Sequence, residues 1–86
     1  MQEIKIDNLT LSANVENVFD DEVAYLKIYL FQGGQFIASS RSYECGHIDM
    51  NARWSFVEKI LNKYADAVRN NKYKIIDGID EIVIIN

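Results

Sequence analysis

Hydrophobic and polar residues alternate along the first half of the chain, the pattern of β-strands that bury one face. The alternation is cleanest at Leu9, Leu11, Ala13 and Val15, which are separated by Thr10, Ser12 and Asn14. Ile4 and Ile6 have the opposite parity, and a turn or bulge at Asp7-Asn8 would bring all six apolar residues to one face. This region therefore predicts half-buried strands with an irregularity at Asp7-Asn8.

Two β-prone segments, 23–31 and 36–43, lie on either side of Gly33-Gly34. A pair of glycines between such segments is typical of a two-residue hairpin turn, because both positions need a positive φ. A regular hairpin would pair Phe31 with Phe36 and Leu30 with Ile37. The same register predicts the pairs Ile28–Ser39, Leu26–Arg41 and Tyr29–Ala38.

This hairpin has two chemically different faces. One face is aliphatic, and the other, which we call the aromatic face, comprises Tyr25, Lys27, Tyr29, Phe31 and Phe36. If the helix covers the aliphatic face, the aromatic face presents a contiguous apolar patch of the kind found at protein interfaces. A homodimer contact and burial under a terminal segment are the alternatives. Base stacking is disfavoured because the accompanying basic residues and an RNP-type motif are missing.

The segment 51–70 has helical periodicity, with Asp49 or Asn51 as the N-cap. Its apolar positions are Trp54, Val57, Ile60, Leu61, Tyr64 and Val68. Beyond it, the sequence predicts two strands, 73–76 and 79–85, around a turn at Asp77-Gly78, with a single strand after an irregular approach as the alternative. The unbroken apolar run 82–85 predicts burial on both faces. The last strand is expected beside the first. We therefore predict a single α+β domain, 1–86, with two layers: an antiparallel sheet under one amphipathic helix, in the order β-β-β-α-β(-β).

The composition excludes several classes of protein. The chain has 86 residues, a net charge of −4 and one cysteine, so an intramolecular disulfide is impossible. A cytoplasmic location follows as an expectation, and no stretch is apolar enough for a membrane span. The acidic balance argues against direct nucleic-acid binding, which needs clustered Lys and Arg. The acidic segment Asp20-Asp21-Glu22, with Glu16 nearby, instead suggests contact with a basic groove.

Candidate chemistry is sparse. Cys45 and His47 are unique and stand two positions apart, but neither an orienting third residue nor a family signature accompanies them. With Asp49 they fall short of a zinc ligand set, and the acidic residues near Gly78 lack the spacing of a calcium loop. Gly33-Gly34 lacks the spacing of a phosphate-binding loop. We expect no enzyme activity, no metal and no cofactor.

Binding is then the simplest use of the chain. We expect a small acidic protein-binding module that inhibits a larger partner stoichiometrically through the aromatic face and Asp20, Asp21 and Glu22. One candidate is a phage-type anti-defence protein, similar in use to anti-CRISPR proteins, that blocks a nucleic-acid-processing complex. The alternatives are an antitoxin or immunity protein, a homo-oligomeric structural protein and, in a different class, an enzyme using Cys45 and His47.

Overall fold

A computed structural model describes residues 2–18, 23–46 and 50–85. Within these residues the chain has a small α+β fold in which one helix accompanies a curled, mixed, seven-stranded sheet. The elements are β1 Gln2–Ile6, β2 Leu9–Val18, β3 Val23–Gln32, β4 Gln35–Ser39, β5 Tyr43–Gly46, α1 Met50–Arg69, β6 Tyr73–Ile76 and β7 Glu81–Ile84. The strand order is β1-β2-β3-β4-β7-β6, and β5 pairs with β3 beyond the end of β4.

The irregularity predicted at Asp7-Asn8 is a tight turn between β1 and β2. Asp7 has a φ of 54°, a left-handed conformation that Asp tolerates better than most residues. The turn pairs Ile6 with Leu9 and Ile4 with Leu11, so the two parities of the sequence meet on one face. The prediction that a turn at Asp7-Asn8 brings both sets of apolar residues to one face is therefore confirmed.

The hairpin at Gly33-Gly34 is also present, with φ angles of 56° and 81° that match a primed turn. It pairs Phe31 with Phe36 as predicted. A register shift then follows at Ile37, because one extra residue enters β4, so Leu30 pairs with Ala38 and not with Ile37. The predicted pair Tyr29–Ala38 is wrong for the same reason, since Tyr29 pairs with Ser39. Ile28–Ser39 and Leu26–Arg41 are likewise wrong, because Ser39 pairs with Tyr29 and Leu26 pairs with Tyr43 of β5.

The helix is present as the periodicity predicts, and it packs on β1, β2 and β3. Its buried residues and those of the strands form one core. The largest fully buried side chains are Leu11, Leu26, Ile28, Leu30 and Ile82 from the sheet and Val57 from the helix. Trp54, predicted on the apolar stripe, is 46% exposed. Of the two proposed caps, Asp49 lies outside the described residues.

The C-terminal strands correct the predicted sheet. The strand, turn and strand are present, but β7 lies between β4 and β6, whereas β1 is at the opposite edge. β7 pairs antiparallel with β6 and parallel with β4, at Ser39↔Glu81, so the sheet is not purely antiparallel. The crossover through α1 brings β7 back in the direction of β4. Burial on both faces of 82–85 is not general, because Ile82 is buried but Ile85 is 40% exposed.

Ser40 follows the last residue of β4 and links the end of this strand to β3 by hydrogen bonds. Its hydroxyl is buried, accepts a hydrogen bond from the Ile28 N–H at 2.9 Å and donates to the Arg41 carbonyl at 2.8 Å. Ser40→Ala removes the acceptor of a buried N–H, so we expect the free energy of unfolding to fall by about 1–3 kcal/mol. Urea unfolding measures the change. Ser39→Ala, at the partly buried neighbour, is the control, and an equal loss in both variants would contradict this assignment.

Candidate protein-binding surface

The aromatic face lies opposite the helix. Leu26, Ile28 and Leu30 of β3 are buried in the core with α1, so the alternate residues of this strand project from the other side of the sheet. None of the five residues of the aromatic face belongs to the core or to the apolar side chains packed against it. Phe36 is 51% exposed, and the other four are partly buried. The sequence pattern correctly grouped these five positions.

The rings at one end of this face contact one another. The Phe36 ring centroid lies 6.2 Å from that of Tyr29 and 6.2 Å from that of Phe31, with interplanar angles of 57° and 73°. These are tilted and edge-to-face arrangements, which aromatic quadrupoles favour. The cross-strand pair Phe31↔Phe36 holds the cluster at the hairpin end of the sheet. The contacts among the three rings therefore restrict their positions.

The opposite end of the aromatic face is acidic. Tyr25 pairs with Glu16 on β2 and with Glu44 on β5, so carboxylates stand on both sides of the tyrosine on the same face. Glu16 also accepts a hydrogen bond from the Asn14 amide at 3.0 Å. Lys27 lies between this acidic end and the ring cluster. Along β3 the surface charge therefore changes from negative beside Tyr25 to positive at Lys27.

Sequence reasoning did not place Glu44 at this surface. The predicted strand ends at Tyr43, and a regular register would set Glu44 opposite Val23. The extra residue at Ile37 and one more residue between Ser39 and Tyr43 instead set Glu44 opposite Tyr25. The alternation of Tyr43 and Cys45 with Glu44 is the signal that a strand continues through this segment. The predicted acidic segment Asp20, Asp21 and Glu22 lies outside the described residues.

Cys45 is buried in the core and is not exposed at the surface. Its side chain is fully buried, and its Sγ donates a long hydrogen bond to the Tyr43 carbonyl at 3.8 Å. Burial raises the pKa of the thiol above its ordinary value, and the Arg53 guanidinium opposes that shift. A raised pKa lowers the fraction of the nucleophilic thiolate at neutral pH. His47 and Asp49, its proposed companions, lie outside the described residues.

A small cleft opens where β7 diverges from the β4–β5 edge. Its floor includes Tyr43 and Tyr64, whose hydroxyl oxygens are 2.7 Å apart and whose rings meet edge-on. Burial, and then the Tyr43 hydroxyl, raise the pKa of Tyr64 above its ordinary value. The Arg41 guanidinium carbon lies 4.3 Å from the Tyr43 ring centroid, within cation–π range. No sequence pattern indicated this cleft, because its lining residues come from segments that are distant in the chain.

Comparison with known proteins adds no relative from which a function can be transferred. No protein-family model matches the chain, and neither curated proteins nor solved structures give a significant match. Among the residues that the structure describes, no helix is long and apolar enough to cross a membrane. The same residues contain no group of three His, Cys, Asp or Glu side chains arranged to hold a metal ion.

Proposed function

We propose that this chain is a protein-binding module that uses the aromatic face to occupy a surface on a larger protein and inhibit it stoichiometrically. The observation that supports this most is the half-exposed Phe36, clustered with Tyr29 and Phe31 on the face opposite the helix. Exposed aromatic clusters in small soluble domains mark interaction sites more often than isolated apolar residues do. Tyrosine is also enriched among the residues that dominate binding energy.

The ring cluster suits this role energetically. Association requires interface side chains to be ordered, at about 0.5–1.5 kcal/mol for each side chain with many rotamers. Phe36 already packs against two rings, so part of that ordering is complete in the free protein. A partner that buries the cluster gains the hydrophobic contribution of the rings with a smaller entropic loss.

The acidic end of the face favours a basic partner. Glu16 and Glu44 stand on both sides of Tyr25, and the chain as a whole carries a net charge of −4. A basic groove that normally receives phosphate offers complementary charge, and such complementarity speeds encounter. Our proposal is therefore a phage-type anti-defence protein, comparable in use to anti-CRISPR proteins, that acts on a nucleic-acid-processing complex. It requires neither catalysis nor a cofactor.

Phe36→Asp tests the aromatic face directly. We expect it to weaken partner binding about thirtyfold or more, because it places a charge where a ring would be buried at the centre of the contact. The tagged wild-type chain first identifies a stoichiometric partner in nuclease-treated lysate, and calorimetry with that purified partner then gives the dissociation constants. Ile79→Asp is the matched control, since Ile79 is 66% exposed in the turn between β6 and β7 and is not one of the five residues of the aromatic face.

Equal affinities of the Phe36→Asp and Ile79→Asp variants would contradict the proposal. A homodimer through the same face is the second candidate, favoured by the apolar character of the ring cluster. Light scattering distinguishes the two. A homodimer predicts that the mass of the wild type doubles as its concentration rises, whereas Phe36→Asp keeps the mass of a monomer.

Glu16→Lys combined with Glu44→Lys tests the proposed contact with a basic partner, and Glu58→Lys on the helix is the control.

A further inference from the structure

We propose that the cleft beside β7 is a second docking site, in which an extended peptide segment carrying a carboxylate adds a strand to the sheet. The cleft has a volume of about 210 Å³. It is lined by Arg41, Tyr43, Lys63, Tyr64, Glu81 and Ile82–Ile84. Small-molecule sites are typically about 300–1,000 Å³, so this cleft is smaller than the usual cofactor site. The inference is independent of the aromatic face.

The hydrogen-bonding direction of β7 supplies the main argument. The Ile85 N–H donates to the Lys72 carbonyl on the β6 side at 2.9 Å, and the Asp80 carbonyl accepts from Ser39 on the β4 side at 2.9 Å. The backbone N–H and C=O groups of successive residues point to opposite edges of a strand. Those of residues 82 and 84 therefore point to the β4 side, as the carbonyl of residue 80 does.

Pairing on that side does not extend along β7. The only β4–β7 pair in the described part of the chain is Ser39↔Glu81, and the chain after Ser39 leads into β5, which pairs with β3. The Ile82 carbonyl and both backbone groups of Ile84 therefore face the cleft without a strand partner among the described residues. An unpaired strand edge of this kind is the template for β-augmentation.

The side chains of the cleft favour an acidic segment. Two of its lining residues, Arg41 and Lys63, are cationic and exposed, whereas Glu81 is the one acidic residue that lines it. This local excess of positive charge stands out in a chain with 13 acidic and nine basic residues. The paired hydroxyls of Tyr43 and Tyr64 add polar groups at the floor. A carboxylate on the added strand would meet both cations.

The test uses peptides of seven random residues displayed on phage and selected on the full chain. Selected peptides, synthesised with blocked termini, are then titrated into the ¹⁵N-labelled protein. We expect enrichment of Asp or Glu, shifts at the Ile82 and Ile84 amides, and slower hydrogen exchange at the Ile84 amide. We expect Lys63→Glu to weaken binding roughly three- to tenfold and Lys59→Glu, an exposed residue one turn earlier on the helix, to leave it unchanged.

Three outcomes would overturn the inference. One is that no peptide is enriched, and another is that the selected peptides shift Tyr29, Phe31 and Phe36 and leave β7 unaffected, which would favour the aromatic face instead. The third is that sodium acetate alone reproduces the shifts at Ile82 and Ile84, which would make the cleft an anion site. Phe36→Asp is expected to leave peptide binding intact, so failure here is distinguishable from failure of the proposed function.

Discussion

Replacing Ile28 by alanine is expected to lower the free energy of unfolding by about 2–5 kcal/mol, enough to unfold a large fraction of a domain of marginal stability. Ile28 is fully buried at the centre of β3, opposite Ala13 of β2. The loss combines the transfer of the deleted carbons with the cavity that they leave behind. Chemical denaturation followed by circular dichroism gives the change directly.

Two further variants make this prediction specific to the face of the strand. Ile28→Val removes one methylene group and is expected to cost about 0.5–1.5 kcal/mol, so the two substitutions form a graded series. Lys27→Ala changes the adjacent residue, which is partly buried on the aromatic face, and is expected to stay within about 1 kcal/mol of wild type. A loss at Lys27 as large as that at Ile28 would show that both faces of β3 are core.

The buried faces of β2, β3 and the helix follow from the sequence, with Trp54 as an exception, because burial of one face imposes a regular hydrophobic period. Leu11, Leu30 and Val57 are buried where the pattern predicts. The five residues of the aromatic face share one surface for the same reason. Where the hydrophobic pattern is regular, the physics of burial is sufficient to assign the side on which a residue lies.

The register of the strands and their order in the sheet could not be predicted from the sequence, because they depend on single residues and on contacts between distant segments. The extra residue at Ile37 changes every later partner of β3, and one more residue between Ser39 and Tyr43 sets Glu44 opposite Tyr25. The parallel contact Ser39↔Glu81 joins segments on either side of the helix and has no local signature. The cleft is lined by residues of β5, the helix and β7, which are distant in the chain, so no sequence pattern pointed to it.

High pH is expected to destabilise the fold through two buried groups. Burial raises the pKa of Tyr64 above its ordinary value of 10.0 and that of Cys45 above 9.0. Each group stays protonated in the folded chain at a pH where the unfolded chain has lost the proton. The unfolded state then binds fewer protons, so stability falls as the pH rises above about 9, by up to about 1.4 kcal/mol per pH unit for each group.

Urea unfolding between pH 8 and pH 11, roughly the range that brackets both ordinary values, measures this slope. We expect Tyr64→Phe to flatten the part above about pH 10 and Cys45→Ala to flatten the part that begins near pH 9, with the double variant flattest. Deprotonation of surface lysines affects all four proteins alike and cancels in the comparison. The Tyr64 hydroxyl also bonds Tyr43, so Tyr64→Phe shifts the whole curve, and only its slope reports the proton. An unchanged slope in Tyr64→Phe would mean that its hydroxyl ionises equally readily in the folded and unfolded chains, and the closed packing of Tyr64 beneath the cleft would then be wrong.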